Sequence, residues 1–327
     1  NTSTTPQSPT NSSEVKVAVC SIVRYWITSH FPHQMQHILP CWSFWHHFPN
    51  AKRVLNLHKG RAAHFTNSST FSRGVRDVLE ASGVSIVVMK PDQYFDNHVY
   101  GKPEVVSATP PVDNFIGYKA THQDAVRSLR SSALAAMGLD QYQQVYCSAN
   151  HANDAKDEIV AAPAPRKEPR IVIIDRETSR TLIGAYDIAF LLQKEMGLSY
   201  VPPVVYFEDL TFAQQVEAFA NADILVTAHG AHLAGLVFMN RCSSLIEVLP
   251  HGYGYPTFFG TMAALSGVNH SYVYLGTNID EENIDPRNET ARLAASRAPM
   301  CPPAHVLVEA TRTQIARWRQ CCGFTSE

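Results

Sequence analysis

The stretch Ala222-Asp223-Ile224-Leu225-Val226-Thr227-Ala228-His229-Gly230-Ala231-His232-Leu233 decides the fold. Its apolar run from Ile224 to Val226 reads as a buried β-strand that stops abruptly in small residues and a histidine. An apolar, helix-like stretch from Leu233 to Met239 follows at once. In an open α/β sheet, ligands bind where the carboxyl end of a strand turns into the next helix. Small residues there let a ligand approach the backbone, and the first N–H groups of the helix face an anion. A second apolar run, Ser244-Leu245-Ile246-Glu247-Val248-Leu249-Pro250, carries an acid inside an otherwise buried strand. A carboxylate there needs a partner, so Glu247 either pairs with a structural arginine or faces a ligand. Two consecutive strand ends of this kind point to a nucleotide-type pocket.

The same alternation extends outward in both directions. In the second half, 170–175, 204–207, 223–228, 245–249 and 272–275 read as strands. The stretches 186–196, 211–221, 233–239, 257–266 and 304–319 read as helices, the last with Arg312, Arg317 and Arg319 on a solvated face. In the first half, 17–20, 53–57 and 84–89 read as strands, and 72–81 and 121–137 show helical spacing. Such β-α-β alternation predicts parallel sheets with helices on both faces. Residues 151–169 include Ala-Ala-Pro-Ala-Pro-Arg-Lys-Glu-Pro and read as a linker. The expected organisation is a flexible Pro/Ser/Thr-rich stem at 1–15, a first domain at 16–150, this linker, and a second domain at 170–327.

With 27 Lys plus Arg against 29 Asp plus Glu, the net charge of −2 offers no general attraction to nucleic acid or anionic membrane. No apolar run reaches membrane-spanning length and no signal peptide is visible. The chain begins on Asn1, so an upstream segment is expected to precede it. Glycosylation sequons stand at Asn1, Asn11, Asn67, Asn269 and Asn288, two of them in the stem. Cysteines occur at 20, 41, 147, 242, 301, 321 and 322 without a Cys-x-x-Cys pair. Cys20 ends a strand and reads as a buried thiol, whereas Cys242, Cys301 and the Cys321-Cys322 pair are placed for disulfides in an oxidising compartment. These features suit a type II membrane protein of the Golgi or endoplasmic reticulum lumen, anchored ahead of Asn1.

Neither a Gly-x-Gly-x-x-Gly nor a Walker A sequence is present. Instead the strand Ile171-Val-Ile-Ile-Asp175 runs into Arg176-Glu177-Thr178-Ser179-Arg180, two arginines four residues apart. The planar fork of arginine suits phosphate oxygens; the alternative is a surface salt bridge with Asp175 or Glu177. His229-x-x-His232 with Asp223 also has metal-ligand residue types, but the two histidines straddle a turn rich in small residues.

Taken in order, these pieces resemble glycosyltransferase family 61. The resemblance rests on Asp175-Arg176 with Arg180, Tyr206-Phe207-Glu208-Asp209-Leu210-Thr211-Phe212-Ala213-Gln214-Gln215-Val216, the stretch from Ala222 to Ala231, Phe238-Met239 and Ser244 to Pro250. Earlier, His33-Gln-Met-Gln-His37-Ile-Leu-Pro40 is similar to the family's His-x-x-x-Asp-x-Leu-Pro element, with His37 in the acidic position. The resemblance implies a GT-B type α/β fold, two Rossmann-like parallel-sheet domains facing a cleft. It implies an inverting glycosyltransferase with no metal or other cofactor, moving a sugar (xylose, GlcNAc or arabinose) from a UDP-sugar donor to a glycan or glycoprotein acceptor. On this reading Arg176, Arg180, His229, Gly230, Ala231 and His232 hold the diphosphate, Glu247 accepts ribose hydroxyls, and His33 is the catalytic base. The alternative is a catalytically inactive glycan-binding relative of the same fold.

Overall fold

The structure, a computed structural model, describes residues 15–22, 31–58, 70–89, 105–108, 123–142, 168–285 and 287–324. The stem up to residue 14, the sequons at Asn1, Asn11 and Asn67, Cys147, and the linker up to residue 167 lie outside the described residues. The chain divides into two compact units, 1–114 with 119–126 and 115–118 with 127–327. The second unit thus takes in residues 127–150, which the sequence reading gives to the first domain.

In the first unit β1 (Val17–Ile22), β2 (Lys52–His58), β3 (Val84–Met89) and β4 (Val105–Ala108) form a parallel sheet in the order β3-β2-β1-β4. Three of these strands stand where hydrophobicity predicts them; β4, four residues long and half-exposed, carries too little pattern to read. Helix α1 (Phe31–His46) follows β1, and α2 (Thr70–Ala81) buries Phe71, Val75, Val78 and Leu79 at helical spacing. Cys20 is not a thiol: it forms a disulfide with Cys41, Cα atoms 5.6 Å apart, tying α1 to β1. Helix α3 (Gln123–Ala136) lies within the predicted 121–137.

The second unit holds a parallel sheet of β5 (Ile171–Asp175), β6 (Val204–Tyr206), β7 (Ile224–Ala228), β8 (Ser244–Leu249) and β9 (Asn269–Tyr274). The order is β6-β5-β7-β8-β9, every pair parallel. Helices α4 (Ala185–Met196), α5 (Phe212–Asn221), α6 (Pro256–Ser266), α7 (Ile279–Glu282), α8 (Glu289–Ala295) and α9 (Ala304–Cys321) complete it. The start of α5 is written locally: Thr211 Oγ1 accepts from the Gln214 amide and Gln214 Oε1 accepts from the Thr211 amide, a capping box.

Strand alternation sorts the sheet into two faces. One face packs Ile171, Ile173, Ile224, Val226, Ile246 and Val248 against Ala189 and Leu192 of α4 and Leu307 and Ile315 of α9. Thr227, Glu247 and His270 belong to the other, where α6 lies. The chain winds from β5 to β6 on one side and returns to lay β7 on the other. The gap between the carboxyl ends of β5 and β7 is therefore a topological switch point, the place where such sheets bind ligands.

The expected helix at 233–239 is a 3₁₀ segment, Ala231–Phe238, buried from Leu233 onward and packed between α5 and α6. Its close approach depends on Gly235, where a Cβ would lie 2.0 Å from Phe219 Cε2. Gly235→Ala is expected to cost about 1–3 kcal/mol by overpacking, lowering the melting temperature by several degrees; an unshifted curve would contradict this packing.

Cys242 and Cys321 form a disulfide and Cys322 is also disulfide-bonded, beneath Trp318 at the end of α9. Cys301, expected to pair, is a free exposed thiol. Arg312, Arg317 and Arg319 are exposed, as the helical spacing predicts. Among the described residues no helix is long and apolar enough to cross a membrane.

Candidate functional site

The carboxylate of Asp175 closes the loop that follows β5: Oδ1 accepts from the amides of Arg176 at 2.8 Å and Leu182 at 2.7 Å. Within that loop Arg180 takes a φ of 56°, in the left-handed region that non-glycine residues rarely adopt. Neither Arg176 nor Arg180 makes a side-chain hydrogen bond or ion pair with a described residue, so the salt bridge to Asp175 or Glu177 does not form. Arg176 Nη1 and Arg180 Nε are buried without a partner. Burial pulls the pKa of Arg176 down, countered through space by Glu208 and Asp175. Burial and the neighbouring charge of Arg176 bring Arg180 down to about 10, countered by Tyr253. Two cations held together without an anion are costly, and functional sites are where such strain persists.

Across the switch point, β7 ends in His229-Gly230. Gly230 is extended, so its role is space: a Cβ would lie 2.7 Å from Arg176 Nη1 and 2.9 Å from His232 Nδ1. Leu233 N–H closes the first 3₁₀ turn on Gly230 O. The amides of Ala231 and His232 precede that bond and have no acceptor among the described residues, as the first amides of a helix do.

His232 Nε2 lies 2.8 Å from Thr227 Oγ1, which donates its own proton to Ile174 O at 2.7 Å. The hydroxyl therefore accepts from His232 Nε2–H, which leaves Nδ1 as an acceptor beside Gly230. Burial, Arg176, Arg180 and His229 together hold the His232 pKa well below the usual histidine value, so the ring is neutral.

Glu247 corrects the sequence reading. It is fully buried, and rather than an arginine or a ligand it engages two histidines: Oε1 accepts from His229 Nδ1 at 2.6 Å and Oε2 from His270 Nε2 at 2.8 Å. It is not placed to take ribose hydroxyls. Burial pushes its carboxyl pKa up, but the two hydrogen bonds outweigh that and hold it below the ordinary value, ionised. His229 thus donates through Nδ1–H, and Nε2 makes no hydrogen bond among the described residues.

Three functional side chains escaped the sequence reading. Thr227 fixes the His232 tautomer, and His270 shares Glu247. Tyr253 stands 5.5 Å from the His229 ring centroid, 5.0 Å from that of Tyr255, and within electrostatic reach of Arg180. The available signal was the run His251-Gly-Tyr-Gly-Tyr255, which follows β8 at its carboxyl end.

His33 falls in the first turn of α1, four residues before the buried His37; its side chain lies outside the described residues. Asp223 does not join His229 and His232 in a metal site. Its carboxylate accepts from Arg170 N–H at 2.8 Å, at the amino end of β7, while the histidines stand beyond the carboxyl end. Among the described residues no three His, Cys, Asp or Glu side chains are grouped to hold a metal ion.

At the switch point of this parallel α/β sheet stand two guanidiniums without hydrogen-bond or ion-pair partners, and two amides without acceptors, among the described residues. Residues 31–246 match the family model Glycosyltransferase 61, and the chain belongs to glycosyltransferase family 61. It is 30% identical over 125 residues to mouse protein O-linked-mannose beta-1,4-N-acetylglucosaminyltransferase 2, covering 38% of this chain and 21% of that protein. The human protein of the same name is 31% identical over 111 residues, 33% of this chain and 19% of the relative. The matches thus span about one fifth of the length of these curated relatives. Among solved structures, the glycosyl transferase family 9 protein from Veillonella parvula DSM 2008 is similar with a TM-score of 0.38 and 8% identity, covering 93% of this chain and 98% of that one.

Proposed function

We propose that the second unit holds the diphosphate of a UDP-sugar, and that the protein is an inverting glycosyltransferase acting on a glycan or glycoprotein. The observation that carries this is the pair of buried guanidiniums, Arg176 and Arg180, which form no ion pair or side-chain hydrogen bond among the described residues. A diphosphate supplies the missing charge, and the Ala231 and His232 amides add donors. Names of the matched relatives support a transferred N-acetylglucosamine among the candidate sugars. UDP at 100 times its dissociation constant, expected in the micromolar range, should stabilise the protein by about 2.7 kcal/mol. A melting curve that UDP leaves unmoved would remove the donor assignment.

In the proposed transfer, an acceptor hydroxyl forms its bond to the anomeric carbon as the bond from that carbon to the diphosphate breaks. The electron pair leaves on the diphosphate, where Arg176 and Arg180 meet the developing charge. No step in this scheme draws on a metal. The hydroxyl proton passes to a base, a role we assign to His33 on its match to the family's early histidine.

The disulfides Cys20–Cys41 and Cys242–Cys321 support a place in the oxidising lumen of the endoplasmic reticulum or Golgi. Asn288 is an exposed sequon at the start of α8, whereas Asn269 is half-buried in β9. Protein made in a eukaryotic secretory pathway is expected to lose mass on N-glycosidase treatment, with Asn288 among the occupied sites. An unchanged mass would count against this placement.

A further inference from the structure

His232 offers the pocket two opposite things. Its backbone amide is a donor without an acceptor among the described residues, whereas its ring presents a lone pair. The ring is held from two sides. Nε2 lies 2.8 Å from Thr227 Oγ1, whose single proton goes to Ile174 O at 2.7 Å, so Nε2 donates. Phe207 packs edge-on against the ring with centroids 5.9 Å apart, and is itself set against Phe219 at 5.3 Å. Turning the imidazole over would put a carbon against the Thr227 hydroxyl and forfeit that bond. Nδ1 therefore stays an acceptor, and it makes no hydrogen bond with a described residue.

Nδ1 and Arg176 Nη1 close on one point beside Gly230, 2.9 Å and 2.7 Å from where a Cβ would stand. A bare phosphate oxygen suits the guanidinium but not the imidazole, because two acceptors with no hydrogen between them repel. Arg176, Arg180 and His229 are the charged or titratable groups that bear on the ring, and no carboxylate among the described residues hydrogen-bonds it. With burial, they keep it neutral. A ligand that fills this corner must bring an anion for Arg176 and, a few bonds away, a hydrogen for His232. A nucleotide sugar carries such hydrogens in two places. One is the hydroxyl or amide on the sugar carbon next to the anomeric one; the other is the pair of ribose hydroxyls.

We propose that His232 is a specificity residue of the donor site, its Nδ1 accepting a hydrogen bond from a hydroxyl or amide N–H that the nucleotide sugar carries beside its diphosphate. The arginines and the Ala231 and His232 amides read the anion, and the His232 ring reads what stands next to it. Thr227 touches no ligand; it is a positioning residue that fixes which nitrogen accepts. Selectivity follows from what an analogue without that hydrogen does: it strips water from Nδ1 and returns no donor, and a site built to receive a donor discriminates strongly on that ground. This inference rests on the donor reading given above.

Two nearly isosteric variants isolate the contact: His232→Asn keeps an acceptor near the Nδ1 position, and His232→Leu removes it. Titration calorimetry of the whole protein compares two sets of ligands. UDP-N-acetylglucosamine against UDP-2-deoxyglucose tests the sugar, and UDP against its 2′-deoxy and 3′-deoxy forms tests the ribose. In one of the sets wild type should favour the ligand that carries the hydrogen, and this preference should fall about tenfold or more in His232→Leu. His232→Asn should recover part of it. The set that responds identifies which group His232 meets. A preference equally strong in wild type and in folded His232→Leu, for both sets, overturns the inference. So does a wild type that binds every deoxy analogue as tightly as its parent, a result that needs no variant to fold. In either case UDP binding leaves the donor reading standing. If neither UDP nor UDP-N-acetylglucosamine binds, both the donor reading and the inference fall.

Discussion

Replacing Arg176 and Arg180 together with alanine is expected to abolish UDP binding while leaving the empty protein at least as stable as wild type. Each guanidinium offers charge-assisted hydrogen bonds worth roughly 1.5–3 kcal/mol to a diphosphate, so the double variant should lose about 10²–10⁴ in affinity. In the empty protein the balance has the opposite sign. Burial and Arg176 disfavour the charge on Arg180, and its backbone sits at a φ of 56°. Removing unpartnered, mutually repelling cations relieves that cost, by something on the order of 1 kcal/mol. Calorimetric melting with and without UDP reads both effects at once. A double variant that binds UDP as wild type does would end the assignment; one that unfolds would show the arginines to be structural. Lysine replacements should recover little, because a point charge does not reproduce the planar fork.

Replacing His33 with alanine should lower turnover roughly 100-fold or more, with UDP affinity nearly unchanged. The split matters, because on the proposed scheme a base acts on the acceptor proton while the loops after β5 and β7 hold the diphosphate. α1 places His33 four residues before His37, about one helical turn. An imidazole titrates in the range a base near neutrality needs. Release of sugar from labelled UDP-sugar in the presence of acceptor, compared with UDP affinity by melting shift, separates the two quantities. Sugar transfer by His33→Ala at the wild-type rate would eliminate this residue as the base.

Much of the framework was legible because local physics wrote it. Four strands of the second sheet coincide with short apolar runs and the fifth, β9, begins three residues before its run, while α4, α5, α6 and α9 begin and end within two residues of the periodic stretches. The capping box at Thr211 and Gln214 places one of those starts with a mechanism. The small residues after β7 marked the candidate site, where Gly230 leaves room for Arg176 and His232 that no side chain could share. What misled the reading was partnership. Glu247 demanded a partner on sequence grounds, but the candidates weighed were an arginine or a ligand, because His270 is 23 residues away. Cys20 looked like a core thiol because its partner Cys41 lies in a helix that no strand pattern announces. The run at 233–239 reads as a helix, and the structure makes it a 3₁₀ segment that packs against Phe219 at Gly235.

The sequence by itself determined the parallel α/β class and the strand ends that carry Arg176, Arg180, His229 and His232. Hydrophobic period, small residues and charge are properties of neighbouring positions, so they are readable along the chain. The tertiary structure alone decided that β5 and β7 lie side by side, which brings residues 176–180 against 229–232. It alone laid Glu247 between His229 and His270, whose pairing across three strands depends on register. Strand order and register are set by how whole faces pack, and no local stretch of sequence carries that information.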